Sequence, residues 1–324
     1  MPLTVSGISK RFKQNWALRD VSFEVADGTI FGIFGPAASG KSVMLRILAG
    51  EGGKYSGSFS YGNSQGASKR AGARAVLVTG QPASPGLLGL FGLKPENSRS
   101  LGRIRRERIT DAVRSDARVV LLDDALCGID AGAKASLFEE LAEQAKSSGK
   151  IIVLAASDFT DILECCEETA VFRGGEVLQT GTPQQVYLEP ETAEVARLTG
   201  RNNIFEARRL TSSKSDTPEF QTIEGSHKLT VRKISKARLG PLNQNMLLSI
   251  RPEHISISFG ASFPEDNLIK ARIAGVKFLG PNTLVDLYAD GLRLSALVMR
   301  LVGLKPSDEC MLGLPPDRIA VYDR

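Results

Sequence analysis

The sequence is short of several things, and each shortage removes a class of protein. It has four cysteines in 324 residues, Cys127, Cys165, Cys166 and Cys310. One pair is adjacent and no CxxC spacing occurs, so neither a disulfide framework nor a zinc site is expected, and the thiols read as reduced and packed. It has two histidines, His227 and His254, and none in the first two hundred residues. No apolar run approaches the roughly 18–20 residues of a membrane span, and the opening MPLTVSGISKRF lacks the apolar core of a secretion signal, so a cytosolic location is expected. Charge of one sign is also scarce: 41 Lys and Arg against 36 Asp and Glu leave a net charge of +5, which gives no dense field for nucleic acid. The one basic cluster, Arg99, Arg103, Arg105, Arg106 and Arg108, has no aromatic platform beside it. It reads as a solvated helix face, and no nucleic-acid partner is expected.

What is present is ordinary globular composition, 42% hydrophobic and 24% charged. At about 150 residues per domain, the length suggests two domains. Up to about residue 200, short apolar runs alternate with helical stretches: strands are expected at Val21–Val25, Thr29–Phe34, Ala75–Val78, Arg118–Leu122, Ile151–Ala155 and Thr169–Phe172. Helices are expected at Lys41–Ala49, Ile109–Ser115, Gly132–Ser147 and Phe159–Cys166. Several of these strands are solidly apolar rather than alternating, which suits a sheet covered on both faces in an α/β domain. From about Asn202 the pattern changes to short alternating strands, and it repeats. Residues 203–208 (NIFEAR) match 267–272 (NLIKAR), and 248–257 (LSIRPEHISI) match 312–321 (LGLPPDRIAV), both at a displacement of 64. Two such β units, each unable to cover its apolar face alone, are expected to close into one barrel-like domain.

The most specific motif is Gly35-Pro36-Ala37-Ala38-Ser39-Gly40-Lys41-Ser42, a complete GxxxxGKS between an apolar strand and a helix. Small residues let successive backbone amides turn inward around a phosphate, and the helix N-terminus adds its positive end. Lys41 is expected to reach the β and γ phosphates of a bound nucleoside triphosphate, and Ser42 to ligate Mg²⁺. The loop lacks the GxGxxG spacing of dinucleotide sites. A phosphate loop needs an acidic partner on another strand, and Val119-Val120-Leu121-Leu122-Asp123-Asp124 supplies one. Asp123 is placed to hold the metal's water shell and Asp124 to position an attacking water; a strand-end cap and a solvated carboxylate are the plainer alternatives.

Together these segments resemble the ATPase subunits of ABC importers of the sugar, polyamine and ferric-iron type with C-terminal TOBE domains. Lys10-Arg11-Phe12, followed by Ala17 to Phe23, is similar to the family's opening, which implies that Phe12 stacks on adenine. Gly128-Ile129-Asp130 resembles the loop that faces the opposite ATPase, residues 174–183 the close of the ATPase domain, and Ile250-Arg251-Pro252-Glu253-His254 a phrase of the regulatory β domain. Read singly, Phe12 is an ordinary aromatic and Asp130 a helix N-cap. The resemblance implies an α/β P-loop NTPase domain of ABC type over residues 1–203 with a shortened helical subdomain, and an all-β, OB-like TOBE barrel over 204–324. It also implies ATP and Mg²⁺ as ligands, a second ATPase subunit as a homo- or heterodimer partner, membrane permease subunits, a regulatory ligand for the β domain, and a cytoplasmic location at the inner face of the membrane.

The departures from that family bear on chemistry. Gln81 is the candidate for the glutamine that contacts Mg²⁺ and takes part in catalysis. The signature loop survives only as Ser100 and Gly102 around Leu101. Asp124 stands where the family has a catalytic glutamate, setting its carboxylate back by roughly 1 Å, a displacement that can cost on the order of 10²-fold. Ser157 stands where the family has its switch histidine and cannot become a cation beside a γ-phosphate. The expectation is an importer ATPase with weakened hydrolysis, the alternative a non-hydrolysing nucleotide-binding regulatory module.

Overall fold

The computed structural model describes residues 2–62, 75–80, 101–210, 217–232, 241–260, 265–299, 303 and 305–323. The chain divides into two compact units, Met1–Leu188 and Glu189–Arg324.

In the first unit the strands are β1 (Leu3–Phe12), β2 (Asn15–Val25), β3 (Ile30–Phe34), β4 (Ser56–Tyr61), β5 (Ala75–Thr79), β6 (Val119–Asp123), β7 (Ile151–Ala156), β8 (Glu168–Arg173) and β9 (Glu176–Gly181). The helices are α1 (Lys41–Leu48), α2 (Leu101–Arg114), α3 (Ala131–Ser148), α4 (Phe159–Cys165) and α5 (Pro183–Leu188). A six-stranded sheet runs in the order β5-β6-β7-β3-β8-β9, parallel except for β9. Every residue of β3, β6 and β7 is buried, as solid apolar strands predict. A smaller antiparallel sheet, β2-β1-β4, shares its core through Leu3, Val5, Ile8 and Phe23 with Phe31, Met44 and Phe172.

The expected strands and helices are all found, most of them within a few residues. β1, β4, β9 and α5 are additional, and β2 begins at Asn15 rather than Val21. α2 begins at Leu101 rather than Ile109; its buried residues are Ile109, Ala112 and Val113, so its first two turns carry no apolar periodicity to read. The shortened helical lobe expected ahead of Asp123 lies largely in residues 81–100, outside the described residues.

The second unit holds α6 (Ala193–Leu198) and ten strands, β10 (Asn203–Arg209), β11 (Glu219–Thr222), β12 (Lys228–Thr230), β13 (Asn245–Ile250), β14 (Ser256–Ser258), β15 (Asn267–Phe278), β16 (Thr283–Ala289), β17 (Leu292–Val298), β18 (Glu309–Leu314) and β19 (Ala320–Tyr322). They form two five-stranded antiparallel sheets, β12-β11-β10-β13-β19 and β14-β18-β15-β16-β17. The 64-residue displacement carries each strand of the first repeat onto its counterpart in the second. It also carries the pairing: Asn203 opposes Ile250 and Asn267 opposes Leu314, while Leu247 opposes Tyr322 and Met311 opposes Ser258. The last strand of each repeat therefore completes the sheet of the other, and one apolar core spans both.

Matching asparagines stitch the two sheets. Buried Asn203 donates from Nδ2 to Ile250 O at 3.2 Å and to Ser295 O at 2.9 Å, and its Oδ1 accepts from Ser295 N at 2.7 Å. Asn267 does the same with Leu314 and Thr230. Asn203→Ala leaves the Ser295 amide and carbonyl without these partners; at roughly 1–3 kcal/mol per orphaned buried group, chemical denaturation should show the C-terminal unit destabilised by about 2 kcal/mol or more. A loss below about 0.5 kcal/mol would mean that water replaces the side chain.

Candidate functional site

The parallel sheet brings the predicted residues to one edge. Thr79 lies beside Asp123, Asp123 beside Ala155 and Ala156 beside Phe34. The chain thus leaves the carboxyl ends of β5, β6, β7 and β3 at Gly80, Asp124, Ser157 and Gly35, the position where open α/β sheets bind ligands.

The loop after β3 is shaped by close approach. A Cβ at Gly35 would lie 2.3 Å from Phe172 O, and one at Gly40, where φ is 107°, would lie 2.6 Å from Ala17 O. Pro36, Ala37 and Ala38 form the solvent-facing rim. Ala38 has φ 61°, a left-handed conformation that costs an L-residue roughly 1–2 kcal/mol. Ser39 is buried; its carbonyl accepts from Gly175 N at 3.0 Å, and its hydroxyl has no hydrogen-bond partner. Gly40 is the N-cap of α1 and offers no side chain to the first-turn amides, which leaves them facing outward as an anion site.

Lys41 is 4% exposed. Its ammonium donates to Gly35 O at 2.6 Å, Pro36 O at 3.0 Å and Ser157 Oγ at 3.1 Å. Burial pushes its pKa down, against the opposing pull of Asp124 and Asp123. The Ser157 hydroxyl in turn donates to Asp124 Oδ1 at 3.3 Å, so Lys41, Ser157 and Asp124 form one polar chain. Ser42 Oγ donates to Asp123 Oδ1 at 2.8 Å. Burial raises the Asp123 pKa and Asp124 adds to the rise, while the Ser42 hydroxyl, Arg46 and Lys41 oppose it. Asp124 is exposed, with φ 47°, and its amide donates to Ala155 O at 3.0 Å. Among the described residues no group of three or more His, Cys, Asp and Glu side chains forms a metal cage. One hydroxyl and one carboxylate beside a phosphate loop fit Mg²⁺, which keeps waters and phosphate oxygens in its shell.

The remaining predicted residues divide. Asp130 caps α3, accepting from Ala133 N at 2.9 Å. Gly102 packs on the turn just before it: a Cβ there would lie 2.4 Å from Gly128 O. Phe12 is 55% exposed at the end of the β1–β2 hairpin, with the Lys10 ammonium 4.8 Å from its ring centroid. β2 continues past the loop through Ala17. Gln81 and Ser100 lie outside the described residues.

One residue corrects the reading of the basic cluster as a solvated face. Arg105 is half-buried; its guanidinium donates to Gly80 O at 2.5 Å and also to Cys127 O. It thereby ties the end of β5 to the turn between Asp124 and Asp130. Nothing in the local sequence announces these contacts, which span 25 and 22 residues.

A GxxxxGKS loop at the carboxyl edge of a parallel sheet, with an acidic strand end bonded to its serine, is the arrangement of a nucleotide-binding domain. Residues 18–82 match the family model "ABC transporter", and residues 248–321 match "TOBE domain". The spermidine/putrescine import ATP-binding protein PotA of Trichormus variabilis is 26% identical over 95% of this chain and 90% of its own length. The molybdate/tungstate import ATP-binding protein WtpC of Pyrococcus horikoshii is 25% identical over 99% of both. A solved nucleotide-free ATP-binding cassette from an ABC transporter aligns with 62% of this chain and all of its own, at 18% identity and a TM-score of 0.47. Over nearly its whole length the chain is thus similar to importer ATP-binding proteins, with a match to an ABC transporter domain ahead of a match to a TOBE domain.

Arg105→Ala removes a charged donor from two backbone carbonyls, at roughly 1–3 kcal/mol. We expect the N-terminal unit to lose about that much stability and hydrogen exchange at the amides of Cys127 and Ile129 to quicken. Unchanged exchange there would show that Arg105 does not hold the turn.

Proposed function

We propose that this chain is the ATP-binding subunit of an ABC-type importer, binding ATP with Mg²⁺ at Gly35–Ser42 and passing the resulting closure to membrane permease subunits at the inner face of the membrane. The observation that carries this reading is the Ser42–Asp123 hydrogen bond of 2.8 Å beside the buried Lys41 ammonium. The α1 amides and Lys41 take the phosphates, Lys41 exchanging Ser157 and Pro36 for phosphate oxygens. Ser42 and Asp123, with Gln81, hold Mg²⁺, which when bound neutralises charge on the β and γ phosphates. Phe12 stacks on the adenine. A second ATPase subunit closes across Ser100, Gly102 and Asp130, and Asp124 accepts the proton of the attacking water.

Hydrolysis is weakened on this reading. Asp124 is shorter than glutamate, and Ser157 brings a neutral hydroxyl to a place where a cation would stabilise developing charge. The Lys41–Ser157–Asp124 chain also favours a second reading, a module that binds nucleotide without turnover.

A nucleotide titration run beside a phosphate-release assay separates the readings. We expect wild-type protein to bind MgATP and release phosphate slowly, Lys41→Ala to lose at least about 100-fold in affinity, and Asp124→Glu with Ser157→His to raise turnover by about tenfold or more. Equal binding by Lys41→Ala would overturn the nucleotide site. Binding with no release in any variant would favour the non-hydrolysing module.

A further inference from the structure

The two repeats of the C-terminal unit bury matching positions along β10 and β15 and along β13 and β18, but their outer faces differ. In the first repeat the outer face is covered: α6 sets Ala193 and Ala196 against Tyr322, with Ile204, Leu247 and Ala320 packed around them. Moving 64 residues along the chain turns Ile204, Leu247 and Tyr322 into Leu268, Met311 and Ser258. These three line a depression of about 760 Å³ on the second repeat, which Phe259 and Tyr288 flank. Leu268, Tyr288 and Phe259 are 45%, 48% and 60% exposed there. Among the described residues the depression is thus the uncovered counterpart of a helix seat that the same fold fills on its other half.

We propose that this depression receives a short helix from a partner protein, one that presents two small residues three apart to Leu268 and Met311. The charges of the seat specify more. Lys270 and Asp290 line it, and neither makes an ion pair among the described residues, whereas Arg272 is engaged with Glu309 at 3.4 Å. A helix of the α6 kind, whose Glu194 and Arg197 flank the small residues three apart, offers a carboxylate to Lys270 and a cation to Asp290. A second copy's α6 is not the occupant, because its small face is already buried in its own chain. Small residues matter because a sheet face and a helix approach closely only where the intervening side chains are short. The seat is independent of the nucleotide-binding reading.

The test uses the full chain and a helix-stapled peptide of residues 189–201, the staple on its solvent face so that helix formation is not limiting. Saturable binding is expected at or below about 1 mM. It should weaken at least tenfold for Leu268→Glu, and equally for a peptide with glutamate in place of Ala193 and Ala196. Lys270→Glu should weaken binding, and a peptide carrying Glu194→Lys should restore it. Leu268 is a surface residue, so unchanged circular dichroism and unchanged ATP titration confirm that its variant is folded. Absence of saturation, or equal binding by the variants, would overturn the proposal. Anionic phosphatidylglycerol vesicles that bind through Leu268 while the peptide does not would also overturn it, in favour of a membrane surface.

Discussion

The N-terminal unit is organised around one ammonium kept almost wholly out of water. Isolating Lys41 would be costly, and its pKa is driven down by burial. The loop that buries it also supplies its acceptors, the Gly35 and Pro36 carbonyls. Those carbonyls point at the lysine only because the chain reverses sharply between β3 and α1, and it can reverse there only without a side chain at Gly35 or Gly40. Two carboxylates within electrostatic reach, Asp124 and Asp123, pull its pKa upward against that burial. The result is a cation whose third partner, the Ser157 hydroxyl, is an exposed neutral group.

The parallel sheet makes this constraint a site. Because β3 lies between β7 and β8 while β6 pairs with β7, residues 81 and 116 positions apart meet at one edge. Ser42 reaches Asp123, and Lys41 reaches Ser157. Neither contact needs a flexible loop to travel, since each partner is the last residue of a fully buried strand or the next one. Serine at 157 has a further consequence. It accepts from Lys41 and donates to Asp124, so it links cation and carboxylate without adding charge of its own. A protonated imidazole at that place would compete with Lys41 for the same anion, and the geometry of the Asp124 carboxylate would change with it.

Legibility followed the physics of each element. β6 and β7 were evident because strands buried on both faces are unbroken apolar runs, and the phosphate loop was evident because its spacing is a steric requirement. β1 was hidden because its ladder to β2 shifts register around Gly7, at φ 60°, which breaks the alternation a reader looks for. β4, with the sequence SGSFSY, has too few apolar residues to declare itself. The first turns of α2 read as solvated because Arg105 is spent on backbone carbonyls far along the chain, and such contacts leave no periodic trace. Asp130 was legible as a cap, and the structure makes it one.

The C-terminal unit shows what internal repetition does and does not constrain. Exchange of the last strand means that neither repeat owns a complete sheet. A single 64-residue copy would be left with an open edge and too little buried surface to stand alone. The cores of the two copies are therefore tied together: a change of volume at Leu248 is felt against residues of both copies, which share one cluster with Leu312. The outer faces lie apart from that core, although Tyr322 and Ala320 of the second repeat pack with Ile204 and Leu247 of the first. There the copies have diverged in charge, Glu206 against Lys270, and, among the described residues, in cover, α6 against an open depression. The halves therefore differ in what their outer faces meet, and also in which residues β11 and β12 bury against those of β16 and β17.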